Sequence, residues 1–278
     1  MRLVTILSYG LATLVLVVAA LFAWRQLDHR ADRVAWNTLV ELAEGEGENF
    51  DPSMVADLPE PAQRYFTFSI APGTPIRTAF RIEMTGQLGN GSKDAPNYQK
   101  MQASQILAPP HGLVWKVKAS ALSGSDGAMP DGSWTRFWLF DLLPIVRAGG
   151  GDHHHSAFGR VVAEAAFWAP ASLLPGEHVH WEAVDDDTAR AIVEFGGFTQ
   201  AVDITVDASG APTQVVIQRW SNENTERAFR EQPFGGYPSG YQVFDGYRLP
   251  THVEGGNHFG TPDYFPFFIA NVSEIGRP

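Results

Sequence analysis

The chain opens with one long apolar run. Residues 3–24 hold roughly 22 positions with no charged side chain, and a helix of that length can cross a hydrocarbon core about 30 Å thick. The pattern predicts a retained transmembrane anchor over residues 1–26, with the lipid bilayer as the partner of 3–24. A cleaved signal peptide with a site at 18–20 is the alternative, although its apolar region would be only about 7–15 residues long.

Basic residues flank this run on both sides. Arg2 precedes it, and Arg25, Arg30 and Arg33 follow it. A count of basic residues would place the bulk of the chain in the cytoplasm. A two-residue leader before a long apolar run is, however, typical of a bacterial signal anchor. We expect a single-pass protein of the bacterial inner membrane with its C-terminal domain outside the cytoplasm.

After the apolar run the chain becomes amphipathic and then polar. Apolar residues between Leu27 and Leu42 lie near helical spacing, which predicts a juxtamembrane helix. Residues 41–48 mix acidic residues with glycine, a composition typical of a solvated linker. The expected divisions are the anchor at 1–26, the juxtamembrane helix and acidic, glycine-rich linker at 27–49, and a β-rich domain at 50–278.

A long helical pattern interrupts the β-rich domain. Ser156 is suited to the N-cap position, and the residue before Pro170 is expected to end the helix. Between them, apolar residues recur at helical spacing on one stripe. The members of this stripe are Phe158, Val161, Ala165 and Trp168. The pattern predicts a helix over 156–169 with one buried face.

Arg160 and Glu164 lie four residues apart on this helix, so their side chains can pair. Glu164 lies at the edge of the apolar stripe, which predicts that it is partly buried. Arg136 and Arg219, from neighbouring strands, are further candidate partners. A structural ion pair at the border of helix and sheet is the expected role, and a catalytic carboxylate is the alternative.

Elsewhere in the domain, apolar and polar positions alternate. In 77–88, Phe80 and Ile82 share one face while Arg81 and Glu83 share the other. Further strands are predicted at 99–107, 113–122, 178–184, 189–195, 198–206, 214–220, 240–248, 251–255 and 267–275. Trp134, Trp138 and Phe140 alternate with Arg136 and suggest another strand, although residues 139–146 could also form a short apolar helix. Residues 221–239 are interpreted as a long loop, either one that covers a site or a mobile connection.

Together with a short helix predicted from Leu58, these segments predict a mainly β domain of the α+β class. We expect one strongly curved antiparallel sheet, half-barrel-like, with the helix at 156–169 packed on its concave face.

The composition argues against several classes of binding partner and of catalytic chemistry. The formal net charge is −11 and the isoelectric point is near 5.2. Both values argue against nucleic acid, and against docking to anionic lipid, because those partners require clustered Lys and Arg. The chain has no cysteine, which excludes disulfides, thiolate nucleophiles and cysteine metal sites. It has no Walker loop and no Gly-x-Ser-x-Gly elbow, and we expect no cofactor.

Histidines are the candidates for a metal site. His178 and His180 lie two apart on a predicted strand, so both project to one face, and Glu182 continues that row. The alternative is a row of side chains that faces solvent. The three histidines at 153–155 follow a glycine run and are interpreted as a flexible loop that binds zinc or nickel weakly.

Three stretches together resemble an uncharacterised bacterial family of single-span membrane proteins, a domain of unknown function. They are Leu58-Pro-x-Pro-x-Gln-Arg-Tyr-Phe66, Gln105 with Pro109 and Leu113-Val-Trp115, and Arg160-x-x-x-Glu164-Ala-x-x-Trp-x-Pro-x-x-Leu-Leu-Pro175. The resemblance spans about residues 58–275 and implies no established activity. The histidines at 153–155 and the segment around Trp138 depart from the family's pattern. A looser likeness is to the lipoprotein-carrier half-barrel, which implies a fold and no function by itself.

The sequence supports three functional hypotheses. We expect a membrane-tethered module that binds a lipid or another apolar molecule and performs no chemistry, because a curved sheet leaves an apolar concave face beside the bilayer. One alternative is a metal-dependent hydrolase that uses Glu164 with His178 and His180. The other is a structural or interaction domain without a ligand. No catalytic residue is assigned. The residues expected to line a ligand site or to support the fold are Arg160, Glu164, Trp168, Trp115 and Trp138.

Overall fold

The structure is a computed structural model that describes residues 2–43 and 47–278. The described residues form three α-helices and one antiparallel sheet of 13 strands. The helices are α1 (Arg2–Ala43), α2 (Glu60–Ser69) and α3 (Gly151–Trp168), with short 3-10 helices at Pro52–Val55 and Pro170–Leu173. The strands are β1 (Phe80–Gly89), β2 (Tyr98–Ala108), β3 (Gly112–Ala119), β4 (Leu122–Met129), β5 (Gly132–Leu139), β6 (Leu143–Gly149), β7 (Val179–Ala183), β8 (Thr188–Phe195), β9 (Phe198–Val206), β10 (Pro212–Ser221), β11 (Arg230–Phe244), β12 (Tyr247–Asn257) and β13 (Phe265–Gly276).

The sheet consists of two meanders joined side by side. Strands β1 to β6 pair in succession, α3 follows, and β7 to β13 pair in succession. The two meanders meet where β1 pairs with β13, with Leu88 opposite Phe268. The edge strands are therefore β6 and β7, the two that flank α3 in the sequence.

The contacts of α3 show that the sheet is strongly curved. This helix contacts β5 on one side of the sheet and β9 on the other. In a flat sheet those two strands would lie more than about 40 Å apart, since neighbouring strands are spaced by about 4.8 Å. An α-helix of 18 residues is only about 27 Å long. The sheet must therefore wrap around α3, which confirms the predicted curved sheet with a helix on its concave face.

Alternation along the strands builds the core between α3 and this face. In β1, Phe80, Ile82 and Met84 are buried, whereas Arg81 is exposed. The predicted stripe of α3, from Phe158 to Trp168, is buried against the same core.

Helix α1 continues without a break from the apolar run into the region beyond it. Its side chains from Val4 to Trp24 are mostly exposed, and it is long and apolar enough to cross a membrane. Its second half lies against the convex face of the sheet, where Arg25, Asp28 and Leu39 are buried. The predicted linker at 41–48 falls in part on residues 44–46, which lie outside the described residues.

Polar contacts attach α1 to the convex face. Asp28 accepts two hydrogen bonds from Arg147, at 2.7 and 3.0 Å, and one from Trp138 Nε1 at 3.0 Å. Asp32 accepts one from Ser125 Oγ at 3.0 Å. A buried carboxylate needs such partners, because an unpaired charge away from water is strongly unfavourable.

The direction of α1 defines two ends of the sheet. Arg25, directly after the apolar run, pairs with Asp141 at 2.7 Å in the turn between β5 and β6. Leu39 packs in a cluster with Ala108 and Val114, toward the opposite end of the strands. We call the end with the turns at 120–121 and 140–142 the anchor end, and the opposite end the base.

Several predictions of individual elements were wrong. Residues 221–239 are not a long loop, because most of them form β11, which begins at Arg230. The helix predicted from Ser156 begins at Gly151, so the three histidines at 153–155 lie in its first turns and not in a flexible loop. Strand β4 was missed, because its small residues Ser123, Gly124 and Ser125 give little apolar alternation. The strand suggested around Trp134 and Trp138 is β5, whereas residues 139–146 form no helix and contain the turn between β5 and β6.

Candidate functional site

A cavity of about 410 Å³ lies between α3 and the concave face of the sheet. Its wall is largely apolar. The apolar side chains that line it include Leu88, Leu122, Phe137, Ile145, Phe167, Phe234 and Phe268. Its volume falls within the range of about 300–1,000 Å³ that is usual for small-molecule sites.

Small residues on the concave face help to leave this space open. Along β3 the inward side chains shorten from Trp115 to Ala119, toward the anchor end. On β4 the corresponding position is Gly124, opposite Phe137. A Cβ at Gly124 would lie 2.9 Å from the ring of Phe137, so glycine allows that aromatic ring to lie against the strand.

The cavity reaches the anchor end of the sheet. Leu88 lies at the end of β1, Leu122 begins β4, and Ile145 lies near the start of β6. All three positions are next to turns on the side where Arg25 contacts Asp141. Ile145, which lines the cavity, is 50% exposed, and Phe140 in the adjacent turn is 72% exposed, so apolar side chains are exposed at this end.

A charged floor closes the cavity toward the base. Arg160 pairs with Glu164 at 2.6 Å and with Asp126 at 3.0 Å. Glu164 also accepts a hydrogen bond from Gln105 Nε2. Burial opposes the charge on Arg160, but the carboxylates of Glu164 and Asp126 outweigh it and raise its pKa above the ordinary value.

The register of β2, β3 and β4 places the residues of this floor in one row across the three strands. Gln105 lies opposite Trp115 on β2 and β3, and Trp115 lies opposite Asp126 on β3 and β4. Directly opposite residues on neighbouring strands point to the same face. The guanidinium of Arg160 lies 5.2 Å from the ring of Trp115, above the row.

Three polar groups of this floor have unused hydrogen-bonding capacity. Trp115 Nε1 and Asp126 Oδ1 are buried and have no hydrogen-bond partner among residues 2–43 and 47–278. Arg219 donates through Nε to Ser156 Oγ at 3.1 Å and makes no ion pair with any described carboxylate. Burial and the neighbouring Arg160 lower the pKa of Arg219 to about 10.

The structure separates the five residues predicted to line a site or support the fold. Arg160, Glu164 and Trp115 line the cavity. Trp168 is fully buried in the core, where its Nε1 donates to the carbonyl of Pro250 at 3.3 Å. Trp138 lies on the convex face under α1, not in the cavity.

The candidate metal ligands do not come together. No three His, Cys, Asp or Glu side chains of the described residues are grouped so that they could hold a metal ion. His180 is exposed on the edge strand β7, and the ring of His178 packs edge-on against Phe195. Glu164 is bonded instead to Arg160 and Gln105.

A second space, of about 580 Å³, lies on the convex side between α1 and strands β1 to β4. Charged side chains line much of it, including Arg25, Asp32, Glu83 and Lys116. The cavity under α3 is the better candidate for a ligand, because sites for small molecules are mainly apolar with a few polar groups.

Sequence reasoning did not foresee Asp126 or the position of Arg219 on the cavity floor. Asp126 lies on β4, the strand that was missed. Arg219 was named only as a partner for Glu164, yet its guanidinium faces the cavity beside the ring of Phe234, 4.9 Å from the ring centre. The inward parity of β10, with Val215 and Ile217 buried, was the available signal.

Comparisons with known proteins give one family and several similar structures. A family model described as a family of unknown function, DUF6544, matches residues 48–269. No curated protein matches the chain.

Among solved structures, the chain is similar to a LolA superfamily protein from Nitrosomonas europaea, with 8% identity and a TM-score of 0.42, over 78% of this chain and 92% of that one. It is also similar to a domain from Vibrio parahaemolyticus described as an outer membrane lipoprotein-sorting protein, with 12% identity and a TM-score of 0.39, over 71% and 84% of the two chains. A third structure is a DUF1329 family protein from Desulfovibrio piger, with 7% identity and a TM-score of 0.40, over 72% and 85%.

Proposed function

Since the chain belongs to DUF6544, a family of unknown function, we propose a function from the cavity alone. The protein is a membrane-tethered module that binds a lipid or another apolar molecule and performs no chemistry. The observation that carries this proposal is that an apolar cavity reaches the end of the sheet from which the apolar run of α1 departs.

The attachment of α1 supports the orientation of the cavity toward the bilayer. If residues 3–24 cross the membrane, Arg25 lies at its surface, and the pair between Arg25 and Asp141 holds the β5–β6 turn at the same level. The contacts of Asp28 with Arg147 and Trp138 keep the helix against the sheet. A lipid would then pass between the bilayer and the cavity over the exposed side chains of Phe140 and Ile145.

The charge of the protein is consistent with an apolar ligand. With a net charge of −11, the chain has little attraction for nucleic acid or for a broad anionic surface. Burial of apolar area in the cavity would supply most of the binding free energy, at roughly 25 cal/mol per Å².

The location in a bacterial inner membrane, with the β-rich domain outside the cytoplasm, belongs to the same proposal. The apolar part of α1, which is long enough to cross a membrane, supports the membrane location. The span and the division into anchor, juxtamembrane segment and β-rich domain are also parts of this proposal.

The test is native mass spectrometry of the full chain, extracted in a mild detergent, with an Ala163→Phe variant and an Ala183→Phe control. Ala163 lines the cavity on α3, so phenylalanine would occupy its space, whereas Ala183 is exposed on the edge strand β7. We expect co-purifying lipid in the original protein and in Ala183→Phe, and its loss in Ala163→Phe. A ligand-free original protein, or equal retention in all three, would favour a structural domain without a ligand.

A further inference from the structure

Arg219 is a half-buried cation, and only part of its guanidinium is hydrogen-bonded. It projects from β10 into the cavity, where its Nε donates to Ser156 Oγ at 3.1 Å. Its two terminal nitrogens form no hydrogen bond with any of the described residues. The two nearby carboxylates, of Asp126 and Glu164, are engaged with Arg160.

The surroundings of Arg219 make this cation costly without a counter-ion. Burial and the positive charge of Arg160 both disfavour its protonated form and lower its pKa to about 10. At neutral pH the side chain is still charged. An anion brought by a ligand would therefore gain a charge-assisted, forked hydrogen bond from a site that is already in place.

Trp115 gives an independent indication of a polar ligand group. Its side chain is 3% exposed and lines the same cavity, and its Nε1 is a buried donor with no acceptor in the part of the chain that the structure describes. Buried indole N–H groups usually find a hydrogen-bond partner. This missing acceptor, next to the unused terminal nitrogens of Arg219, points to an oxygen atom supplied from outside the chain.

Resting on the proposed lipid-binding function, we propose that the cavity selects lipids with an anionic head group, a carboxylate or a phosphate. Its oxygens accept hydrogen bonds from the terminal nitrogens of Arg219 and from Trp115 Nε1. The hydrocarbon chain lies against the phenylalanines of the wall and extends toward the anchor end. The floor thus selects the head group by its charge and by the number of hydrogen-bond donors it offers. The apolar wall contacts only the hydrocarbon chain and does not distinguish head groups.

Asp126 Oδ1 is the feature that favours a different head group. This buried acceptor also has no partner among the described residues. A hydroxyl group would donate to it and accept from Trp115. A lipid alcohol is therefore the competing ligand in the test.

The test compares three ligands with the same chain: oleate, oleoyl lysophosphatidate and oleyl alcohol. Each is titrated at neutral pH against the full chain, stripped of lipid in detergent, and binding is followed by native mass spectrometry. We expect the two anions to bind at least about tenfold more tightly than the alcohol, because hydrogen bonds to charged groups are stronger than those between neutral groups. Between the two anions, the tighter one identifies whether carboxylate or phosphate is the natural head group.

The variant is Arg219→Gln, and the matched control is Arg81→Gln, at an exposed arginine on β1. Arg219→Gln should weaken both anions about tenfold and leave the alcohol unchanged. Arg81→Gln should change none of the three affinities. Arg219→Lys keeps the positive charge and should retain most of the preference for anions. This variant replaces Arg219→Gln in the test if the glutamine variant does not fold.

The outcomes separate the inference from the function on which it rests. Binding of none of the three ligands would contradict the proposed lipid-binding function. Equal binding of all three would leave that function in place and overturn the role of Arg219. Tighter binding of the alcohol would overturn it too, and would assign the head-group site to Asp126.

Discussion

Glu164 is held by two partners at the border of cavity and core. Replacing it with alanine leaves Asp126 as the only carboxylate among the described residues that pairs with Arg160, and it removes the acceptor of Gln105 Nε2. Breaking a buried ion pair costs about 3–5 kcal/mol, because the surviving charge loses its compensation. We expect Glu164→Ala to lower the melting temperature of the full chain strongly in a thermal unfolding experiment.

The control for this prediction is Glu60→Ala. Glu60 pairs with Arg64 four residues away on α2, but its side chain is 66% exposed. Exposed pairs contribute about 1 kcal/mol or less, so the melting temperature should hardly move. A Glu164→Ala protein as stable as the original would instead point to a functional role for this carboxylate.

At this scale the sequence predicted the local partner and missed the distant ones. The pair of Arg160 and Glu164 follows from the spacing of four on one helix. Asp126 and Gln105 reach Glu164 and Arg160 only because three strands are in register under α3. That register depends on the whole sheet, and no short stretch of sequence contains it.

Among the elements, α1 differs most from its expected role. Arg25, Asp28 and Asp32 follow each other at intervals of three and four, so they share one face of the helix. The sequence predicted a juxtamembrane helix here, but it indicated no partners in the β-rich domain for these charged residues. In the structure they are buried against β4, β5 and β6. Their partners, Ser125 and Arg147, lie about a hundred residues away, which is why the docking could not be predicted.

Asp28→Ala should release α1 from the convex face. The change leaves Arg147 and Trp138 Nε1 without their shared acceptor. Because the chain has no cysteine, spin labels can be placed at Asn37→Cys on α1 and Lys118→Cys on β3. We expect a narrow distance distribution by electron paramagnetic resonance in the original background and a broad one after Asp28→Ala.

Asp131→Ala is the control, since Asp131 is exposed in the turn between β4 and β5. It should leave the distribution narrow. If Asp28→Ala does so as well, the polar contacts do not hold the helix, and the packing of Leu39 and Ala35 against the sheet is sufficient.

For the molecule as a whole, the sequence predicted the class of fold but not the pairing of strands that are distant in the sequence. Alternation predicted most strands, and the helical stripe predicted the element on the concave face, so the curved antiparallel sheet is confirmed. The pairing of β1 with β13, and the extension of β11 into the supposed loop, depend on contacts between distant segments. The lining of the cavity likewise depends on strands far apart in the sequence that the sheet brings together around α3, and local periodicity does not show which of their side chains meet.

The proposed orientation predicts that the anchor end contacts lipid. A spin label at Phe140→Cys, on the β5–β6 turn, should collide more often with dissolved oxygen, which concentrates in the bilayer, than with a water-soluble nickel complex. A label at Ser209→Cys, exposed in the turn between β9 and β10 at the base, should show the reverse. The measurement uses the full chain reconstituted in vesicles. Equal accessibility at the two positions would mean that the anchor end does not face the bilayer.

The junction of β1 with β13 has a consequence for how the protein is made. During synthesis, β1 emerges early in the domain and β13 emerges last. Contacts between such distant segments form slowly, since closing the long intervening loop costs entropy. Until then β1 keeps one unpaired edge. Leu88 and Phe268 face each other across this junction, and both line the cavity. The cavity is therefore incomplete in the nascent chain, and the proposed ligand would be taken up only after β13 has paired with β1.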